Sequence, residues 1–177
     1  MSKVLCVNVC AAGPAREVGR LVELVRAEGW TVQIVATPSA LAFIDVPALE
    51  EQTSRPARSQ YRKPDEPKSP RADAIIVAPA TFNTINKFAH GVADTYALGV
   101  LSEAPGLEIP VVVLPFVNCA LANREPFRES MGSLQRDGVR VLFGPGEFEP
   151  HPPSTSEERL DIYPWQLALA AVDSRVR

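Results

Sequence analysis

Five short apolar runs rich in β-branched residues are spread along the chain, and each is set off from the next by a helical pattern or a turn. They are Val4–Val9, Thr31–Val35, Ala74–Ala78, Ile109–Leu114 and Val139–Phe143. Runs of this length, apolar at nearly every position, suit strands covered on both faces. Between the first two, Val18, Leu21, Val22 and Val25 recur at helical spacing from Arg16 to Glu28, and Gly29 stands at the position of a C-terminal stop. A strand, a helix and a strand in that order imply a right-handed crossover and a parallel pair. The pattern predicts an α/β domain over residues 1–177. It is a single doubly wound parallel sheet of about five or six strands with helices on both faces.

The remaining helical patterns fit between the strands. A short helix opens at Ala36–Ala40 and runs through Phe43, and two segments, Asn83–His90 and Asp94–Ser102, join at Gly91. Pro126–Asp137 stops at Gly138, and a closing helix starts at Pro164 and carries Trp165, Leu167, Leu169 and Val172. The stretch from Glu50 to Arg71 differs in kind. It holds six basic residues, four acids and the prolines Pro56, Pro64, Pro67 and Pro70. It reads as a long surface loop, either a lid that attracts an anionic substrate or a solvated insertion.

Composition narrows the function classes. Hydrophobic residues are 46% and charged residues 22% of the 177, as in a soluble globular protein. The net charge of -3 argues against a nucleic-acid partner, which wants a basic face. No apolar run approaches the ~20 residues that span a bilayer, so no membrane role is expected. The opening run Val4–Val9 is too short, and too soon followed by Gly13-Pro14, for a secretory signal. Three scattered cysteines, Cys6, Cys10 and Cys119, form neither a disulfide framework nor a zinc motif, which points to a reducing cytoplasm. Two histidines cannot build a His-rich metal site, and no metal is expected.

In a doubly wound sheet, ligands bind outside the carboxyl ends of the strands. The turns Cys10–Ala15, Thr37–Ala40, Pro79–Thr84 and Pro115–Leu121 lie there. The first carries one glycine, Gly13, so the dinucleotide fingerprint is missing, and no Gly-Lys-Ser/Thr loop is present.

The segment from Ala72 to Asp94, ADAIIVAPATFNTINKFAHGVAD, is the most specific motif. It resembles the flavoprotein family of cysteine decarboxylases, whose pattern is A-D, an apolar strand, A-P-A-S-A-N-T and K-x-A-x-G-x-A-D. Thr81 and Phe82 stand for Ser and Ala. Thr37-Pro38-Ser39-Ala40 with Phe43-Ile44 resembles the family's T-P-x-A-x-x-F-I turn, and Pro115–Leu121 resembles its P-x-M-N-x-x-M substrate motif. Cys10–Glu17 takes the place of its T-G-S-x-A turn, with Ala11 and Ala12 for Gly and Ser. The likeness covers roughly residues 3–145.

The resemblance implies FMN as cofactor and Ala12, Gly13, Ser39, Pro79, Ala80, Thr81, Phe82, Asn83, Thr84 and Asp94 as its binding residues. Backbone N–H groups at Ala11–Ala15 would meet the phosphate. Ala80, Phe82, Asn83 and Thr84 would meet the ring, whose alternating edge suits the Asn83 amide. Asp94 has a second reading as a helix N-cap. The resemblance also implies a homo-oligomer, a trimer or a multiple of it, with Thr95–Leu101 as a contact face. The family's catalytic His, in the polar run before the A-D strand, has no counterpart between Glu50 and Arg71, where the ungapped equivalent is Asp65. Asn118, His90 and Cys119 are the catalytic candidates left. The expected function is a divergent flavin-dependent enzyme on a small-molecule or peptidyl substrate. The alternatives are a non-catalytic FMN-binding partner or regulatory subunit and, less well matched, a flavin prenyltransferase.

Overall fold

The computed structural model describes residues 2–176. Five parallel strands form one sheet: β1 (Val4–Val9), β2 (Thr31–Ala36), β3 (Ala74–Ala80), β4 (Val111–Pro115) and β5 (Arg140–Val141). Their order is β2-β1-β3-β4-β5. The chain therefore leaves β1 in one direction for β2 and crosses back to β3 on the other side, which places the topological switch point between β1 and β3. The two-sided sheet expected from the sequence is the one observed.

Side-chain alternation builds two cores. Leu5, Val7, Ile34, Ile76, Val112 and Leu114 face one way, onto α1 (Val18–Ala27), α2 (Val46–Thr53) and α7 (Trp165–Val176). Ile75, Val77, Val111 and Val113 face the other way, onto α3 (Phe82–Ala89), α4 (Tyr96–Glu103) and α6 (Glu125–Arg136). Between them α5 (Cys119–Ala122) adds one short turn. Each fully buried Leu or Ile in these layers contributes about 1.5–3 kcal/mol.

Four details correct the sequence reading. The loop expected from Glu50 begins instead after α2, because Asp45 caps that helix by accepting from the Ala48 N–H at 3.1 Å and Leu49 buries against the core. The helix stops at Ser54, which is left-handed with φ 54°. The basic segment is not a lid over the carboxyl ends: Arg58 lies along the edge of β2, donating to the Ile34 carbonyl at 3.0 Å and accepting from the Ala36 N–H at 2.7 Å. Among the described residues this single bridge, Val35 to Arg58, is all there is of a sixth strand. Asp94 is not a helix cap, since Thr95 caps α4. Finally, β5 has only two residues, and an aromatic cluster of Phe116, Phe148, Tyr163 and Trp165 fills the space beside β4. Tyr163 anchors it by donating to the Leu114 carbonyl at 2.6 Å.

Candidate functional site

Around the carboxyl ends of β2 and β3 three helical segments start close together, each capped by a threonine. Thr37 accepts from the Ala40 N–H at 3.2 Å, Thr81 from the Thr84 N–H at 3.3 Å and Thr95 from the Leu98 N–H at 3.2 Å. The free N–H groups of a helix start and its partial positive charge favour an anion. Thr81 also donates to, or accepts from, the Thr84 hydroxyl at 3.2 Å, which fixes both side chains.

These starts surround a cavity of about 360 Å³. Ala11, Thr37, Ser39, Thr81, Asn83 and Thr84 line it, together with Lys87, Thr95 and Leu98. The Lys87 ammonium is held by the Asp94 carboxylate at 2.5 Å. The lining is thus rich in hydroxyls, with one amide and one ammonium. Of the residues expected from the sequence, the structure brings Ser39, Thr81, Asn83 and Thr84 together. Pro79 and Ala80 are buried in β3 directly beneath, and Asp94 reaches the cavity through Lys87. Lys87, Thr95 and Leu98 were not anticipated. The Thr-x-x-Leu start of α4 was the available signal for Thr95.

Other expected residues lie elsewhere. Phe82 turns from the cavity to stack on Phe127 at 5.7 Å. Gly13 serves close packing, since a Cβ there would come within 2.7 Å of the Leu160 side chain. In the same turn Pro14 has no N–H, and the Ala12 and Ala15 N–H groups bond to the carbonyls of Cys10 and Ala12. The turn around Ala12 therefore presents fewer free donors than its place in the fold suggested. His90 ends α3 at the far side from Thr81, exposed, with Nδ1 2.8 Å from the Asn86 carbonyl.

Asn118 and Cys119 form a second cluster at the end of β4. Asn118 caps α5, accepting from the Leu121 N–H at 3.0 Å, and the Cys119 N–H donates to the His151 carbonyl at 2.8 Å. His151 packs on Phe116 at 4.8 Å. Its ring is buried and its Nδ1 has no partner. Burial, helped by the Arg159 charge, holds its pKa below the ordinary value. His151 lies in a Gly/Pro-rich loop, and nothing in the sequence around it marks the ring as buried.

A "probable phosphopantothenoylcysteine decarboxylase" of Streptococcus mutans is 26% identical over 149 residues, 80% of this chain and 83% of that protein. The bifunctional coenzyme A biosynthesis protein CoaBC of Bacillus subtilis is 29% identical over 117 residues, and the match spans 28% of its length. The FMN-dependent cysteine decarboxylase TvaF from thioviridamide biosynthesis superposes with a TM-score of 0.78 at 18% identity, covering 99% of both chains. The FMN-dependent cysteine decarboxylase SpaF gives 0.71 at 23% identity over 86% of each. The sequence model of the Flavoprotein family matches residues 2–163, so this chain belongs to the Flavoprotein family.

Proposed function

We propose that this protein binds FMN noncovalently in the cavity between Ser39, Thr81, Asn83 and Thr84, and that it is a divergent flavin-dependent enzyme acting on a small or peptidyl substrate. The observation that carries this reading is the convergence of three threonine-capped helical starts on one cavity beside the Lys87 ammonium. That set suits a dianionic phosphate. The Asn83 amide can both donate to and accept from the edge of a flavin ring. The similarity to FMN-dependent decarboxylases supports the choice of flavin.

Bound FMN supplies a hydride acceptor. The chain's own residues anchor the cofactor and close its surroundings, but the segment 50–71 contains no His to take a proton from a thiol. A positioned base contributes typically about 10²–10⁴-fold. Asp65, the ungapped equivalent, is exposed in a turn and does not line the cavity. Cysteine decarboxylation of the standard kind is therefore absent or slow. The lack of that His also favours a second reading, an FMN-binding partner subunit without catalysis. The protein acts in the cytoplasm as a homo-oligomer, a trimer or a multiple of it; the Thr95–Leu101 segment expected as its contact face is instead taken up by the core and the two cavities.

Titration of purified protein with FMN, followed by flavin fluorescence, tests the binding. Saturable quenching at one FMN per chain is expected, and a protein that takes up none overturns the reading. Carbon dioxide release from phosphopantothenoylcysteine then separates the activities. A rate at least about 10²-fold below that of an authentic decarboxylase is expected. A comparable rate refutes the loss of chemistry, and flavin binding without turnover of any cysteine-ended substrate supports the partner reading. Light scattering that gives a monomer mass at micromolar concentration would remove the oligomer.

A further inference from the structure

The basic segment encloses a second cavity, of about 360 Å³, on the α4 side of the sheet. It lies away from the carboxyl ends. Its floor is one row across three strands, Gln33, Cys6 and Ile75, which are register partners. Tyr96 and Val100 of α4 form one wall, and Tyr61 of the basic segment faces them. Tyr61 and Tyr96 meet edge to face at 5.3 Å. The Tyr61 hydroxyl lies over Gly99, where a Cβ would sit only 2.4 Å from it. The segment is thus seated on α4 through Tyr61, and a side chain at position 99 would push that hydroxyl aside.

The charge around this cavity is one-sided. Arg58, Arg62, Lys68 and Arg71 line it against a single lining carboxylate, Glu103. Arg58 is neutralised by Glu66 at 3.0 Å. Arg62 donates only to the Lys63, Pro64 and Glu66 carbonyls, and Arg71 only to the Leu107 carbonyl at 3.5 Å, so both keep their charge. Among the described residues neither these two nor Lys68 has a carboxylate partner. In a protein of net charge -3 this is a local positive field over a largely apolar hollow. Low-dielectric walls strengthen such a field, and the volume falls in the range of small-molecule pockets.

We propose that this cavity binds a small anionic ligand with an aromatic or apolar body, its phosphate or carboxylate held by Arg62, Lys68 and Arg71 and its body packed against Tyr61, Tyr96 and Val100. The site is separate from the proposed flavin cavity, and neither depends on the other.

The test uses the whole chain, with and without saturating FMN. Calorimetric titrations compare phenyl phosphate and benzoate with inorganic phosphate, which has charge and no body, and phenol, which has body and no charge. Phenyl phosphate or benzoate is expected to bind at least ten-fold tighter than either control, and whichever of the two binds tighter identifies the preferred anion. Affinity should fall several-fold in high salt and stay unchanged with FMN. Lys68→Glu, on the exposed side of the segment, should weaken binding about ten-fold with no change in circular dichroism. Gly99→Ala, which displaces Tyr61, should weaken it too. Equal affinity for phenol, competition with FMN, or indifference to Lys68→Glu overturns the proposal.

Discussion

The Cys119 N–H donates to the His151 carbonyl, and this one bond joins the end of β4 to a loop that follows β5. It holds the loop so that the His151 ring is buried on Phe116 with an unpartnered Nδ1. The imidazole is therefore kept neutral by its surroundings, chiefly by burial and then by Arg159.

Acid should loosen this junction. The folded state holds His151 below its ordinary value of 6.5, so the unfolded chain binds the proton first as pH falls. The stabilising contribution is complete above that value and is lost as pH falls from it towards the lower folded pKa. The protection factor of the Cys119 amide, which removes the intrinsic pH dependence of exchange, should fall over that interval, and His151→Phe should flatten the dependence. An unchanged profile in the variant would refute the assignment.

The threonine caps should matter twice over. Thr81→Ala removes the side-chain bond to the Thr84 N–H at the start of α3. It should cost about 1 kcal/mol in denaturant unfolding and weaken FMN binding several-fold. Thr81→Ser, which keeps the acceptor, should recover most of both.

Thiol chemistry should distinguish the three cysteines. Burial pushes the Cys6 thiol up to about 12 and also raises Cys10, whereas Cys119 is partly exposed. Native protein should react rapidly with Ellman's reagent at Cys119 alone, because the thiolate is the nucleophile. Denatured protein should release the full three equivalents. Rapid labelling of Cys10 in the native state would mean that the Thr81–Thr84 end of the sheet is open.

Phe127→Ala should be the most damaging single truncation on the α6 side. Phe127 is fully buried and packs on both Phe82 and Phe143. A loss of about 3–5 kcal/mol is expected. Chemical denaturation would measure it, and a loss under 1 kcal/mol would show that α6 packs more loosely than described.

The sheet was legible because β-branched runs such as Val111–Leu114 are buried on both faces and leave no ambiguity of period. The second half of α2 was read as loop because Glu50, Glu51 and Gln52 run into the charged, proline-rich stretch, while the helix depends on the Asp45 cap and the buried Leu49 in its first turn. Ser39, Thr81, Asn83 and Thr84 could be placed at one cavity because two turns of the sheet edge carry them. Lys87 could not, because it comes one helical turn later and its aim depends on Asp94, seven residues away. His151 was missed for the opposite reason. Its burial comes from Phe116, 35 positions earlier, and no local pattern encodes that contact.

The two margins of the sheet differ in sequence but share one property. β5 offers a neighbour only two residues, and β2 is occupied by Arg58 in a stretch that also carries Pro56, Pro64, Pro67 and Pro70. An incoming strand finds only two residues at β5 and, at β2, an edge whose Ile34 carbonyl and Ala36 N–H are already taken by Arg58, and proline-rich or very short borders are how natural sheets resist edge-to-edge aggregation. Copies of this chain are thereby steered away from open-ended polymers. Helical faces, not sheet edges, are thereby the surfaces left most open to association.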